Sequence, residues 1–325
     1  MRISRSLMGL ALATGLGLGT AQAEPMTIAF AVHSATGNTF WQAVKLGYED
    51  ACKLVNAQCQ MIFTQTEGSI QEHVANLQTA VARHPQALIT SIIDDKAYDA
   101  VIQDARDKGI TVIATNVDDT QGAAGNAREA FVGQDFVSAG YALAAGLAKK
   151  LPAEGSLKFV VGVNLPGANF SERRAQGILN FLNEYKAAHG DRSIEIRRID
   201  ASIDPAVTAE RFSSLYSADP GITAYFDTVN NDAAVARVLK DRGVPAGKVL
   251  LAGFDLIPQV IQELKSGYIE VQCDQQPYMQ GFLPVMMAYL KANVGLAPVD
   301  VNTGKALVTA ADAPALLALS KKGVR

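Results

Sequence analysis

The chain has 325 residues, 29 basic against 32 acidic, with a net charge of −3, and 49% of it is hydrophobic. That length favours two lobes over one core, and the mildly acidic balance excludes a broad nucleic-acid surface, which needs clustered Lys and Arg. Three cysteines, Cys52, Cys59 and Cys273, are too few for a disulfide scaffold and lack the paired spacing of a zinc site.

Residues 1–23 read as a cleavable secretory signal. Arg2 and Arg5 give the positive start, Leu7 to Leu18 the apolar centre, and Ala21-Gln22-Ala23 the small-residue cleavage site. The Gly15-to-Gly19 run inside it has no strand before it, so it is not a dinucleotide loop. No later apolar run reaches about 18 residues, which predicts a soluble, exported, periplasmic protein. In that oxidising compartment two readings of Cys52 and Cys59 stay open: a bridge, or two buried thiols.

Thr27 to Val32 is short and apolar, as a buried parallel strand is, and runs into the polar loop His33-Ser34-Ala35-Thr36-Gly37-Asn38. A helix follows, with Trp41, Val44, Tyr48, Ala51, Cys52 and Val55 on one face. Gln60 to Thr64 reads as the next strand, and Ser69-Ile70-Gln71-Glu72 as a capping box before a helix. Ala87 to Ile93, a helix stopped by Gly109, and Ile110 to Thr115 continue the alternation. This rhythm predicts a parallel sheet with helices on both faces.

The pattern weakens from Thr120 to Ala130 and resumes at Phe131-Val132-Gly133-Gln134-Asp135, a first candidate crossing between lobes. A second series follows: helix 137–151, strand 157–163, helix 171–189, strand 194–199, helix 205–216, strand 224–226 and helix 232–242. Val249 to Gly253 then ends in Phe254-Asp255, and a short strand ends in Asp274-Gln275-Gln276-Pro277. Pro284 is placed in the first turns of the last long helix, where proline is tolerated.

Ligands of open α/β sheets bind beyond the carboxyl ends of the strands. Asp255 and Gln275 stand at such ends, and an acceptor pair beside an amide suits neighbouring hydroxyls. Equally open is that Asp255 caps the next helix and Gln275 is a turn residue. Phe40 or Trp41 can offer an aromatic face to the apolar side of a sugar ring, the other facing the core. An Arg at 173 or 174 suits bidentate hydrogen bonding, but surface solvation is the alternative for Arg173 and spacing leaves Arg174 undecided; Asn231 and Asp232 are equally plausible as helix caps. Asn116, Asp118 and Asp119 lack the loop pattern of a calcium site, and His33, His73, His84 and His189 lie apart, so no metal site or cofactor is expected. No nucleophile elbow or phosphate-cradling loop appears.

The signal, Gly37-Asn38-Thr39-Phe40-Trp41, Gly253-Phe254-Asp255 and Asp274-Gln275-Gln276-Pro277 together resemble the periplasmic sugar-binding proteins of bacterial ABC importers, of the ribose/galactose-binding type. The resemblance covers essentially the whole chain after the signal. It implies an α/β fold of two Rossmann-like lobes with parallel sheets, joined by three hinge strands. The lobes would be 24–133 plus 276–304 and 134–275 plus 305–325, with crossings near Gln134, Gln275 and Lys305.

By the same resemblance, Asn38, Phe40, Trp41, Ser91 and Asn116 would contact a sugar from the first lobe, and Arg174, Asn231 and Asp255 from the second. Gln134 and Gln275 would contribute at the crossings, and His33 lies near a family contact in a loop one residue longer. Asn116 stands where ribose binders place an Asp, with Asp118 as a substitute acceptor, and Ile203 stands where they carry a second stacking Phe; both departures put ribose itself in doubt. The implied partners are a small sugar or polyol and an inner-membrane permease, for a monomer that binds and does not turn over its ligand. Delivery to a chemoreceptor or sensor kinase is the alternative, and an exported enzyme using Asp255 or Asp232 the more distant one.

Overall fold

The computed structural model describes residues 25–304 and 306–324, so the signal stretch and Lys305 lie outside the described residues. In chain order the elements are β1 (Thr27–Ala31), α1 (Thr39–Leu54), β2 (Gln58–Ile62), α2 (Ile70–Ala82), β3 (Ala87–Thr90), α3 (Asp99–Asp107), β4 (Thr111–Asn116) and β5 (Ala130–Gly133). Next come α4 (Phe136–Ala148), β6 (Leu157–Val163), α5 (Asn169–Ala188), β7 (Ile194–Asp200), α6 (Pro205–Ala218), β8 (Ala224–Asp227), α7 (Asp232–Asp241), β9 (Leu250–Phe254) and α8 (Pro258–Ser266). The chain closes with β10 (Val271–Asp274), α9 (Pro277–Val294), β11 (Val301–Asn302), β12 (Ala306–Val308) and α10 (Ala313–Ser320).

The strands form two sheets of matching design, in the orders β11-β5-β4-β3-β1-β2 and β12-β10-β9-β8-β6-β7. Every pairing is parallel except that of β12 with β10. Buried strands with apolar runs, such as β1 with Phe30 and Ala31 at 0% exposure, need cover on both faces. Each sheet accordingly has a separate apolar cluster on either side. The chain passes between the sheets after Gly133, after Asp274, and between Asn302 and Ala306.

The helix face predicted from Trp41, Val44, Tyr48, Ala51 and Cys52 is buried against β1 and α9. Cys52 and Cys59 are bridged, with Cα atoms 6.3 Å apart. The bridge is reached through a tight reversal at Asn56, whose φ of 53° is left-handed. β2 begins at Gln58, two residues earlier than the apolar pattern suggests, because this reversal returns the chain sooner. Glu72 completes only half of a capping box: Ser69 Oγ accepts from its N–H, while its carboxylate accepts from Gln65 and Thr66 in the preceding loop.

Pro284 lies in the interior of α9, not in its first turns, since Pro277 already occupies the start. An interior proline leaves the carbonyl four residues back without its helical donor. Here that carbonyl belongs to Gln280, and the Thr115 hydroxyl of β4 reaches it at 2.8 Å, shared with Val132 O at 2.8 Å. A proline otherwise costly in a helix is thereby tied to the first sheet.

Candidate functional site

The carboxyl ends of both sheets face one cleft. Asn116 ends β4 and Asp255 follows β9, the strands that hold the same place in the two sheet orders. Both have left-handed backbones, φ 66° and 69°. Asn and Asp tolerate that region best among residues with a side chain.

Asp255 does not cap a helix: α8 begins at Pro258, with no side-chain cap at its N-terminus. Its Oδ1 accepts from Gln275 Nε2 at 2.5 Å. Burial raises the pKa of this carboxyl, and nearby Arg174 opposes the rise. Arg174, in the second turn of α5, is 3% exposed. It donates through Nε to Gln134 Oε1 at 2.9 Å and through Nη1 to the Thr228 carbonyl at 3.0 Å. Its guanidinium lies 4.2 Å over the Phe254 ring, with Phe136 and Phe170 beside it. Burial lowers its pKa, and the Asp255 carboxylate is the largest influence holding it up. Gln134 in turn donates to Cys273 Sγ at 3.4 Å, and burial pushes that thiol's pKa up to about 12.

Asn116, 8% exposed, donates through Nδ2 to Gln280 Oε1 at 3.0 Å and, at 3.5 Å, to Gln275 Oε1. Gln280 is fully buried and also donates to the Gln275 carbonyl and Thr303 Oγ1. His33 Nδ1 is 2.7 Å from Ser91 Oγ, and burial lowers the imidazole pKa to about 4, so the ring is neutral at pH 7. A cavity of about 90 Å³ opens between Asn38, Phe40 and Pro277 on one side and Asn230, Asp255, Leu256, Ile257 and Pro258 on the other, with Asp274 at the crossing.

Several predicted contacts are committed elsewhere. Trp41 is 2% exposed and packs edge-on to Phe30 and His33 in the core, leaving Phe40 to line the cavity. Asp118 is held by the Arg128 Nε and Nη2 donors, so it is not a free stand-in for Asn116. The Asn231 amide donates to Ser202 O, Ile203 O and Thr208 Oγ1 within its own half, and its neighbour Asn230 lines the cavity. Asn38 lines the cavity while its Oδ1 caps α1 and its Nδ2 donates to Glu67 Oε1 at 3.0 Å. Asp232 is fully buried beside Asp227, with both carboxyl pKa values raised by burial, and so is not placed to act on a ligand.

Glu67, Arg128 and Gln280 escaped the sequence reading. Glu67 gathers Ser34 Oγ, the Ala35 N–H and Asn38 into one loop, and Arg128 ties Asp118 to Asp300. Gln280's only sequence signal is a polar residue in an apolar helix. Two hydrogen bonds bridge the cleft mouth, Asn169 Nδ2 to Asp118 O at 3.1 Å and Arg173 Nη1 to Thr120 O at 3.2 Å. Among the described residues no group of three or more His, Cys, Asp or Glu could hold a metal, and no helix is long and apolar enough to cross a membrane.

The chain is similar to several known proteins. The xylose/arabinose-binding protein XylF of Sulfolobus acidocaldarius is 25% identical over 306 residues, covering 90% of this chain and 73% of its own. The D-allose-binding periplasmic protein of Escherichia coli is 24% identical over 246 residues, covering 74% of this chain and 76% of its own. Among solved structures, an ABC transporter periplasmic solute-binding protein from Actinobacillus succinogenes with bound D-allose superposes with a TM-score of 0.78 at 24% identity, covering 90% of this chain and all of that one. The fold is therefore the two-sheet α/β type expected. Residues 28–296 match the periplasmic binding protein domain, and the chain belongs to that family.

Proposed function

We propose that this protein is the periplasmic substrate-binding component of an ABC importer, which captures a monosaccharide or related polyol in the cleft and presents it to an inner-membrane permease. The observation that carries the reading is the set of polar groups converging from both sheets and a crossing segment: Asn116, Arg174, Asp255 and Gln275. They offer several hydrogen bonds to a small hydroxylated ligand, without a positioned nucleophile and base. Phe40 adds an apolar surface on one side. Relatives named for xylose, arabinose and allose support the ligand class.

The lobes would be 24–133 plus 276–304 and 134–275 plus 305–325, with residues 1–23 removed on export. A ligand that touches both lobes stabilises the closed state by its differential affinity, and the closed form is what the permease receives. Micromolar affinity requires about −8 kcal/mol, within reach when nearly every hydroxyl is paired in a dry cleft.

Isothermal titration of the mature protein against pentoses, hexoses and polyols tests the reading. Asp255→Ala is expected to weaken the ligand found by about 2 kcal/mol or more, because partners buried with it lose their acceptor. Unchanged affinity in that variant would remove Asp255 from the site, and sustained conversion of a bound sugar would replace binding by catalysis.

A further inference from the structure

The carboxamides behind the cleft form a chain whose direction can be deduced. A Gln or Asn side chain has a donor end and an acceptor end of nearly the same shape, so its orientation follows from its partners. One partner here has a fixed role, the Gln275 backbone carbonyl. A backbone carbonyl only accepts.

Gln280 lies 3.0 Å from the Gln275 backbone carbonyl, so the end facing it must be Nε2. Its Oε1 is then turned to Asn116 at 3.0 Å, and Asn116 must answer with Nδ2. A second path agrees: the same Gln280 nitrogen lies 3.3 Å from Gln275 Oε1, which turns Gln275 Nε2 to Asp255 Oδ1 at 2.5 Å. That leaves Gln275 Oε1 facing the same Asn116 nitrogen, at 3.5 Å. Both paths give one orientation. Oδ1 is the end of Asn116 that neither glutamine uses.

We infer that Gln280 is a positioning residue for ligand recognition: by holding the amide nitrogen of Asn116, it makes Asn116 a pure hydrogen-bond acceptor toward the cleft. A ligand must then present a hydroxyl or N–H to Asn116, as it must to Asp255. An uncharged residue thus performs a carboxylate's accepting role, so the Asn at this position keeps the acceptor while removing the charge. The inference rests on the sugar-binding reading for the nature of the ligand, but the orientation of the amide does not depend on it.

Neutron diffraction from crystals of the perdeuterated mature protein reads the orientation without any ligand. The expected result is deuterons on the Asn116 nitrogen directed at Gln280 and Gln275; an Asn116 oxygen facing Gln280 overturns the inference. Titration calorimetry with D-allose and D-arabinose between pH 5 and 8 then reads the role, in wild type, Gln280→Met and Asn116→Asp. Gln280→Met is expected to lose at least tenfold in affinity. Asn116→Asp is expected to bind progressively more weakly as pH rises, because its carboxyl must keep a proton to donate to Gln280 Oε1 while wild type shows no such trend. Equal affinity of Asn116→Asp at pH 5 and pH 8 also overturns the inference, and this variant serves if Gln280→Met does not fold. Wild type binding neither sugar counts against the sugar reading alone, since the neutron result still decides the orientation.

Discussion

Arg174 donates its Nε–H to Gln134 Oε1 at 2.9 Å, joining a helix that covers the second sheet to the residue at which the chain first leaves the first sheet. Both side chains are almost fully buried. Removing one partner of a buried hydrogen bond leaves the other unsatisfied, at a cost of about 1–3 kcal/mol. Gln134→Leu is therefore expected to lower the urea midpoint by that amount of stability and to weaken ligand binding. A variant with wild-type stability and affinity would show that Arg174 is held by its other contacts alone.

The position of Arg174 also depends on Gly140 of the neighbouring helix. A Cβ on Gly140 in α4 would collide with the Arg174 carbonyl in α5. Only glycine lets the two helices approach so closely. Gly140→Ala should separate them, costing about 1–3 kcal/mol as an overpacked contact does and displacing the guanidinium. Crystallography of the variant, with thermal melting beside it, checks both effects; an unmoved Arg174 would contradict them.

The buried Asp232 predicts a pH dependence. Burial holds its pKa well above the ordinary value, with Asp227 adding to the effect. The unfolded state loses this proton near pH 4 while the folded state keeps it, so its contribution lowers stability as pH rises from there toward the folded pKa. Asp232→Asn removes that contribution while keeping the side chain's shape; among the described residues Asp232 Oδ2 has no hydrogen-bond partner to lose. Relative to wild type, the variant should gain stability as pH goes from 4 to 8 in urea unfolding. A gap that stays constant over that range would mean the carboxyl is not held protonated.

Reducing the Cys52–Cys59 bridge should lower stability by about 2 kcal/mol, as expected for a short closed loop. The bridge sits where α1 turns into β2, at the opposite end of β2 from the cleft, so ligand affinity should not change. Unfolding and titration with and without reductant measure the two quantities separately. An affinity that fell on reduction would tie the bridge to the site.

Much of this design was legible because each layer has its own period. Thr27 to Val32 read as a short buried strand, and the helix after it announced its inner face at every third or fourth residue. Asp255 and Gln275 were legible as strand ends. What sequence left open clusters where a side chain has a choice of partner. Trp41 and Phe40 are adjacent and both aromatic, and only the pitch of α1 sends Trp41 inward. Asp118 looked available because Arg128, ten residues on, carries no local mark of being its partner. Gln280 was invisible for the same reason: its three partners, Asn116, Gln275 and Thr303, lie on three separate segments of the chain.

The Thr115 hydroxyl that takes up the carbonyl freed by Pro284 settles which groups travel together. Gln280 is anchored by its backbone to β4, whose last residue is Asn116, so the lock and the residue it orients are tied to the same sheet. On the proposed opening of the cleft, the second crossing would bend between Asp274 and Pro277, where Gln276 already adopts a left-handed φ of 55°, together with the crossings after Gly133 and between Asn302 and Ala306. Asn116 would then keep its acceptor aimed in the open protein, ready before any ligand arrives.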